Sequence, residues 1–262
     1  MLFFADLHIH SKYSRATSSS MDLPILYSFA KVKGLNLLGT GDFSHPKWLK
    51  EVKEQLEQIN DSGFYVLKGK GDVYFLLTNE VSTNFQFEKE TKKIHHLLIV
   101  ESFDVVDQVN EAISKYGDLK SDGRPVLNCT PAELVETIME LDRNILIVPA
   151  HIWTSWFGAL GDKGFNSLEE CYGDQVKHIH AIETGLSSDP PMNWRLSRLD
   201  KYVLISNSDA HSPWSWRLGR EANVFHLDTL SFRELVNAVK RKDRQKILMT
   251  IEVSPEYGNN PL

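Results

Sequence analysis

The chain has 262 residues, and 42% of them are hydrophobic, which allows a sizeable core and disfavours disorder. Its formal net charge of −6 argues against a broadly basic nucleic-acid surface, although carboxylates that surround bound cations also count as negative. The only two cysteines, Cys129 and Cys171, disfavour a disulfide framework and a cysteine-type zinc finger.

The N-terminal segment LFFA follows no basic leader, and no later apolar run approaches the length of a membrane span. We therefore expect a soluble, cytoplasmic protein without membrane contact. The final SPEYGNNPL is rich in turn-forming residues. These features predict one domain over residues 1–253 and a flexible tail over 254–262.

Short apolar runs that end in polar residues recur along the chain. In order, they are LFFADLH, LNLLGTGD, VYFLLTNE, IHHLLIVE, ILIVPAH, IHAIETG and VLISNSDAH. Segments with apolar residues at helical spacing lie between several of them, such as MDLPILYSFAKVKG and TPAELVETIMELD. This alternation is typical of parallel strands that are covered by helices, and seven units indicate an α/β barrel. In such barrels the reactive groups lie at the carboxyl ends of the strands.

The first of these strand ends carries two histidines, His8 and His10. Side chains two residues apart on a strand point to the same face, roughly 6–7 Å apart, so both imidazoles could hold one ion or two neighbouring ions. Asp209 and His211 repeat this spacing at the last strand. Such mixed histidine and carboxylate ligands suit zinc, manganese or iron.

Other strand ends contribute one ligand-type group each, and these are Asp42, Glu80 and His151. A lone histidine there is more often a hydrogen-bonded structural residue, but the matching positions of the whole set favour a metal site. His95 and His96 are alternatives for one further ligand. Glu183 could bind an ion or support a ligand, and a role for His45 stays open. We expect His178, His180 and His226 to be structural.

Loops after the strand ends add residues that could contact a substrate. Arg15, Arg195 and Arg217 are candidates for phosphate contacts, because a guanidinium matches phosphate oxygens. Five tryptophans also follow strand-end motifs, namely Trp153, Trp156, Trp194, Trp214 and Trp216. Exposed rings there could stack on a splayed base, although we expect at least three of them to pack loops onto the barrel. The stretches 115–125 and 187–195 are predicted surface loops.

The motifs DLHIHS, GTGD, PAH and SDAH, together with Glu80, resemble the PHP (polymerase and histidinol phosphatase) family. The resemblance implies a distorted (β/α)7 barrel that holds two or three divalent metal ions and hydrolyses phosphoesters. The ions would be zinc, manganese or iron, with magnesium as a further candidate. The phrases RATS, LLGTGDFSHP, YGDLKSDGRP, ETGLSSDPPMNWR and NSDAHSPWSWRLGREAN are similar to the PHP part of endonuclease Q, over roughly residues 1–253.

The endonuclease Q family nicks DNA on the 5′ side of deaminated bases, such as uracil, hypoxanthine and xanthine, and at abasic sites. The resemblance therefore implies a DNA substrate. That family continues into a cysteine-rich zinc-binding region, whereas this chain stops at Leu262. Both a natural short form and an incomplete one remain open, and a protein partner could supply the missing grip on DNA.

The resemblance also implies a role for each ligand-type residue. One ion would be held by His8, His10, Glu80 and Asp209. Glu80 would bridge to a second ion, completed by His95 and His151. Asp42 and His211 would hold a third ion, although many family members have a histidine where this chain has Asp42. The implied catalytic residues are Glu80, Asp209 and His211.

Two other functions remain as alternatives. A small-molecule phosphatase or nucleotidase could use the same metal centre, and the acidic net charge favours it. Alternatively, the chain could be a non-catalytic binding module, although its complete ligand set argues against this. Added salt should weaken DNA cleavage steeply and affect a small phosphomonoester little.

Overall fold

The structure is a computed structural model that describes residues 1–257. Its twelve strands are β1 Leu2–Asp6, β2 Leu37–Gly39, β3 Leu56–Gln58, β4 Tyr65–Leu67, β5 Tyr74–Phe87, β6 Glu90–Val100, β7 Val126–Leu127, β8 Leu146–Pro149, β9 Ala181–Glu183, β10 Val203–Ile205, β11 Ala222–His226 and β12 Ile247–Ile251. The α-helices are α1 Leu23–Lys33, α2 Pro46–Gln55, α3 Phe103–Ser114, α4 Pro131–Leu141, α5 Leu168–Tyr172, α6 Pro190–Asn193 and α7 Phe232–Arg241. The predicted mixed α/β class is confirmed.

Local sequence signals define where the longer helices begin. The Asp22 side chain accepts a hydrogen bond from the Ile25 amide at the start of α1, and Ser231 accepts one from the Glu234 amide at α7. Thr130 forms a reciprocal capping box at α4. These side chains satisfy amide groups that have no partner inside the helix.

Strand direction differs from the predicted parallel arrangement. Neighbours β1–β2, β2–β5 and β9–β10 are parallel, but β5–β6, β6–β8 and β1–β11 are antiparallel. Only two residues separate β5 from β6, and so short a connection can join only antiparallel strands. The prediction that IHHLLIVE is a parallel strand is therefore wrong.

Strand pairing within residues 1–257 does not close into a ring. Ten strands form one sheet with the main path β12-β11-β1-β2-β5-β4-β3, and β6, β7 and β8 branch from it. Strands β9 and β10 form a separate two-stranded sheet. The closed seven-unit barrel predicted from the sequence is thus not confirmed.

Apolar side chains from the strands and helices fill two buried clusters. The larger cluster includes α1 and α4 residues such as Leu26 and Leu134. The smaller cluster combines strand residues such as Phe3 and Leu97 with the apolar face of α7, including Leu235. Each fully buried side chain of this kind stabilises the fold by about 1.5–3 kcal/mol. The two clusters therefore stabilise the strands whose ends carry the polar residues. Within the described residues, no helix is both long and apolar enough to cross a membrane.

Candidate metal centre

Six ligand-type side chains from five different parts of the chain converge at one end of the sheet. They form two groups in which the ligand atoms lie within 4.8 Å of one another. The first group is His8, His10, Glu80 and Asp209, and the second is Glu80, His95 and His151. Five of the six side chains are buried, and Asp209 is partly exposed. The structure therefore brings together all the residues that the sequence predicts for the first two ions.

Glu80 belongs to both groups through different oxygens. Its Oε2 lies 3.2 Å from Nε2 of His10 and 3.6 Å from Nε2 of His8. Its Oε1 lies 2.8 Å from Nδ1 of His95 and 3.1 Å from Nε2 of His151. A carboxylate with one oxygen in each of two ligand groups has the geometry that a bridge between two ions requires.

Strand register determines which of two adjacent histidines enters the site. His95 pairs with Ser82 in the β5–β6 ladder, two positions along from the pair of Glu80 and Leu97, so both site side chains share one face. His96 points to the opposite face, where its ring lies 5.7 Å from that of Tyr172. Burial lowers the pKa of His96 to about 3, which keeps it neutral.

Two further carboxylates orient the histidines of the first group. Nδ1 of His8 donates to Glu183 at 3.0 Å, and Nδ1 of His10 donates to Asp42 at 3.1 Å. Glu183 also accepts from the amide of His151 at 2.8 Å. A carboxylate behind an imidazole sets the ring direction and leaves its other nitrogen for an ion. Glu183 therefore contacts the ligand residues His8 and His151 and does not belong to either ligand group itself.

Asp42, which is predicted to hold a third ion, contacts other protein groups through both of its oxygens. Its Oδ1 contacts His10, and its Oδ2 accepts hydrogen bonds from Ser11 and Ser14. His211 lies outside both ligand groups, with its ring 4.5 Å from that of His10 and its Nδ1 donating to the Asp209 carbonyl at 2.9 Å. A third ion at Asp42 and His211 stays a prediction.

The donor atoms fit divalent ions. Among residues 1–257, Nε2 of His8 is buried without a hydrogen-bond partner, and it lies 3.6 Å from Glu80 and 3.7 Å from Asp209. Such an isolated nitrogen between two carboxylates is expected of a ligand rather than of a structural histidine. The mixture of imidazole and carboxylate suits zinc, manganese or iron.

The electrostatics keep the carboxylates ionised. Burial raises the pKa of Glu80, but His95, His8 and Arg124 together hold it well below its usual range. Burial also raises the pKa of Asp209, and the neighbouring His8 and His10 lower it well below its ordinary value. Both groups are therefore available as anionic ligands.

Three residues of the site have positive φ angles. These are 49° at Asp42, 30° at His151 and 48° at Asp209, each within four residues after the end of a strand. Non-glycine residues in this region carry a conformational cost of about 1–3 kcal/mol, and they persist where the surroundings over-determine them. The surrounding structure thus fixes a strained backbone at these residues, and this conformation sets the positions of their side chains.

The arginine nearest to the ligands is one that the sequence analysis missed. Nη1 of Arg124 lies 3.1 Å from Oε2 of Glu80, and the side chain is 27% exposed. It belongs to the stretch 115–125, which was predicted to be only a surface loop, and the neighbouring Gly123 packs against Asp42. In contrast, the predicted phosphate contacts Arg15, Arg195 and Arg217 are exposed, and no hydrogen bond or ion pair joins them to the ligands.

Aromatic side chains differ widely in exposure around the site. Trp156, Trp194 and Trp216 are 64–69% exposed, whereas Trp153 and Trp214 are partly buried. Phe157 stacks on His95 with a centroid distance of 4.6 Å. His45 stacks on Tyr13 instead of joining the ligands. Likewise, the two ligand groups contain none of His178, His180 and His226.

Comparison with known proteins yields no matching family model. The lesion-specific endonuclease PfuEndoQ of Pyrococcus furiosus is 39% identical, with a TM-score of 0.86 over 97% of this chain and 60% of that chain. A structure of endonuclease Q with a 27-mer duplex that carries an abasic lesion at the active site has a TM-score of 0.85. The uncharacterized protein MJ0043 of Methanocaldococcus jannaschii is 32% identical over 67% of this chain.

The chain spans 60% of the solved endonuclease Q chain and 20% of the Methanocaldococcus protein. Within that span the structural similarity covers 97% of the present chain. The resemblance to endonuclease Q that was stated from the sequence is confirmed.

Proposed function

We propose, from the premise that this chain is an endonuclease Q-like protein of the PHP type, that it is a metal-dependent phosphodiesterase. It would nick DNA on the 5′ side of a deaminated base or an abasic site. The observation that carries this proposal is the pair of ligand groups joined by Glu80, in a chain 39% identical to a lesion-specific endonuclease. The deaminated bases themselves come from the sequence resemblance.

Two ions are better supported than three. His8, His10, Glu80 and Asp209 would hold one, and Glu80, His95 and His151 would hold the other. Bound divalent ions would act as Lewis acids toward a phosphate, and they would lower the pKa of a bound water to near neutrality. Both oxygens of Asp42 already have partners, which leaves a third ion with His211 as the weaker part of the proposal.

The chain's own residues would prepare the site for a phosphodiester. Glu183 and Asp42 hold the imidazoles of His8 and His10 in one orientation. The guanidinium of Arg124, partly exposed beside Glu80, would bind a non-bridging phosphate oxygen. Nδ1 of His211 donates to a backbone carbonyl, so its Nε2, when protonated, would donate a proton to the leaving oxygen.

The proposal includes a distorted seven-stranded barrel and a single hydrolase domain over residues 1–253. A single backbone bridge joins Ile9 to Ala210, and the Ile152 amide donates to the Glu183 carbonyl at 3.0 Å. These contacts support a ring of seven strands whose gaps are closed by loops. Strand β12 ends at Ile251, which supports a hydrolase domain over residues 1–253. Of the proposed tail, residues 258–262 lie outside the described part.

A nicking assay tests the proposal directly. Manganese- or zinc-loaded protein would be incubated with labelled duplexes that differ only in one uracil, hypoxanthine or abasic site, beside an undamaged duplex. We expect a nick 5′ to the lesion that weakens steeply with added salt. If a metal-loaded sample cuts none of the damaged duplexes, the endonuclease assignment is wrong for this chain.

A phosphatase or nucleotidase is the second candidate, and the net charge of −6 favours it. Para-nitrophenyl phosphate would run beside the duplexes as its probe. Cleavage of this monoester alone, with little response to salt, would move the assignment to a small-molecule phosphatase. Activity on neither substrate would favour a non-catalytic binding module.

A further inference from the structure

A second group of carboxylates lies next to the end of β10 and belongs to neither of the two ligand groups. Glu221 directly precedes β11 and is fully buried, while Glu252 directly follows β12 and is partly buried. Their Oε2 atoms lie 2.8 Å and 3.1 Å from the same hydroxyl, that of Ser206 at the end of β10. Residues that flank three strands thus bring two carboxylates onto one serine.

Neither carboxylate has a cationic partner in the part of the chain that the structure describes. No ion pair within residues 1–257 involves Glu221 or Glu252, and Oε1 of each is buried without a hydrogen-bond partner. The nearby Arg220 directs its guanidinium to the Ser208 carbonyl, at 2.9 Å and 3.0 Å. Burying an ionised carboxylate without compensation is costly, so this pair requires a positive charge or a proton.

The other side-chain atoms close to the two carboxylates that could bind an ion are hydroxyl oxygens. The Thr184 hydroxyl lies 3.1 Å from that of Ser206 and 3.5 Å from Oε2 of Glu252. Two carboxylates and two hydroxyls without an imidazole form a hard ligand set, of the kind that calcium and magnesium prefer. The histidine-rich centre differs in this respect, because four of its six side chains are imidazoles.

We propose that Glu221, Glu252, Ser206 and Thr184 form a second cation site, for a hard divalent ion of the calcium or magnesium class. The free Oε1 atoms of the two glutamates are its principal ligands. The ion links the end of β10 to β11 and to the segment after β12, and so anchors the outer strand β12 to the body of the fold. Burial raises the pKa of Glu221 to about 8 and that of Glu252 to about 7, as expected of carboxylates that lack a counter-charge.

Thermal unfolding with calcium chloride as the probe tests this site. Chelator-treated protein would be melted with and without a large excess of Ca²⁺, for the wild type, Glu221→Gln and Glu80→Gln. We expect the wild type to gain about 5 °C or more at a hundredfold excess over Kd. Glu221→Gln should lose this gain, and Glu80→Gln, which alters only the histidine-rich centre, should keep it.

Three results would overturn the proposal. A gain that is absent in the wild type means that the pair holds a proton instead of an ion, and a gain that is equal in the wild type and Glu221→Gln means that calcium binds elsewhere. A gain lost only in Glu80→Gln assigns calcium to the histidine-rich centre. Glu252→Gln, at a more exposed position, serves as a second variant if Glu221→Gln does not fold. None of these outcomes depends on nuclease activity.

Discussion

Glu80 is the residue on which both ligand groups depend, since each of its oxygens serves one of them. Its replacement therefore alters both ligand groups at once, and Glu80 belongs to neither of the apolar clusters. Substitution of any other ligand removes a contact from only one group. This asymmetry makes Glu80 the most informative single position in the site.

We predict that Glu80→Ala loses bound metal and at least about 100-fold in phosphodiesterase activity, without unfolding. Metal content by mass spectrometry, nicking rates and circular dichroism would be compared with those of Glu57→Ala, an exposed glutamate on β3. A metal-replete and active Glu80→Ala protein would contradict the assignment of the site.

Arg124 provides a second test at the same scale. Because it is the cationic side chain at Glu80, we predict that Arg124→Ala lowers kcat/KM on a damaged duplex by about 10- to 100-fold while metal content stays the same. Arg15→Ala is the matched control, since the Arg15 side chain is 81% exposed and contacts Asp122 rather than the ligands. Equal losses in the two variants would show that Arg124 contributes only general positive charge.

At the scale of single elements, the loop after β2 shows why the sequence motif GTGD has its glycines. Gly41 has a φ of 64°, and a Cβ atom there would lie 2.3 Å from the carbonyl oxygen of Ile9, between the two histidines of the first motif. Gly34, at the end of α1, has a φ of 84° but no atom within 4 Å of the same position. The two glycines share a backbone requirement and differ in the space around them.

We predict that Gly41→Ala is more destabilising than Gly34→Ala by about 1–3 kcal/mol, because only the former adds a steric clash to the backbone strain. Gly41→Ala should also bind metal more weakly, since relief of the clash moves the segment between His8 and His10. Urea denaturation and metal titration of the two variants would measure both effects. Equal denaturation midpoints would show that the loop after β2 can relax.

Elements also show how far the sequence could predict the site. The position of His8 and His10 followed from strand periodicity alone, and both lie in the centre as expected. The contacts of Asp42 could not be read in the same way, because a carboxylate is an equally good ligand for an ion and partner for an imidazole. In the structure Asp42 contacts His10 and the hydroxyls of Ser11 and Ser14, and its binding of a third ion stays a prediction.

Arg124 and the direction of β6 were missed for a different reason. Both depend on contacts between distant parts of the chain. Apolar periodicity reveals a strand but not its direction, and the polar stretch 115–125 resembles any exposed loop. What decides the outcome is the short β5–β6 connection and the packing of Gly123 against Asp42.

At the scale of the whole molecule, the two groups of buried carboxylates have pKa values shifted in opposite directions. In the histidine-rich centre, imidazoles and Arg124 compensate Glu80 and Asp209, and the pKa values of these carboxylates are lowered. At the second site no cationic side chain of residues 1–257 forms an ion pair with Glu221 or Glu252, and burial raises their pKa values. The second pair therefore opposes folding wherever the unfolded chain would ionise it.

The sign of this effect predicts how stability changes with pH. Glu221 has an ordinary pKa of 4.5 and a pKa of about 8 in the folded protein. Its contribution to stability is fully present below about pH 4.5 and is lost as pH rises toward about 8, because the unfolded state releases the proton first. In chelator-treated protein, Glu221→Gln should therefore gain stability relative to the wild type across this range.

Urea denaturation of the two proteins at a series of pH values would measure the difference in the free energy of unfolding. Titrating groups that lie far from Glu221 are common to both proteins and cancel in the comparison. Glu252 contacts the same hydroxyl as Glu221, so its titration is part of the measured difference. We expect saturating Ca²⁺ to flatten the wild-type profile, since a bound cation replaces the proton at the same carboxylates. If the difference in the free energy of unfolding does not depend on pH, Glu221 has the same pKa in the folded and unfolded protein, and other interactions offset its burial.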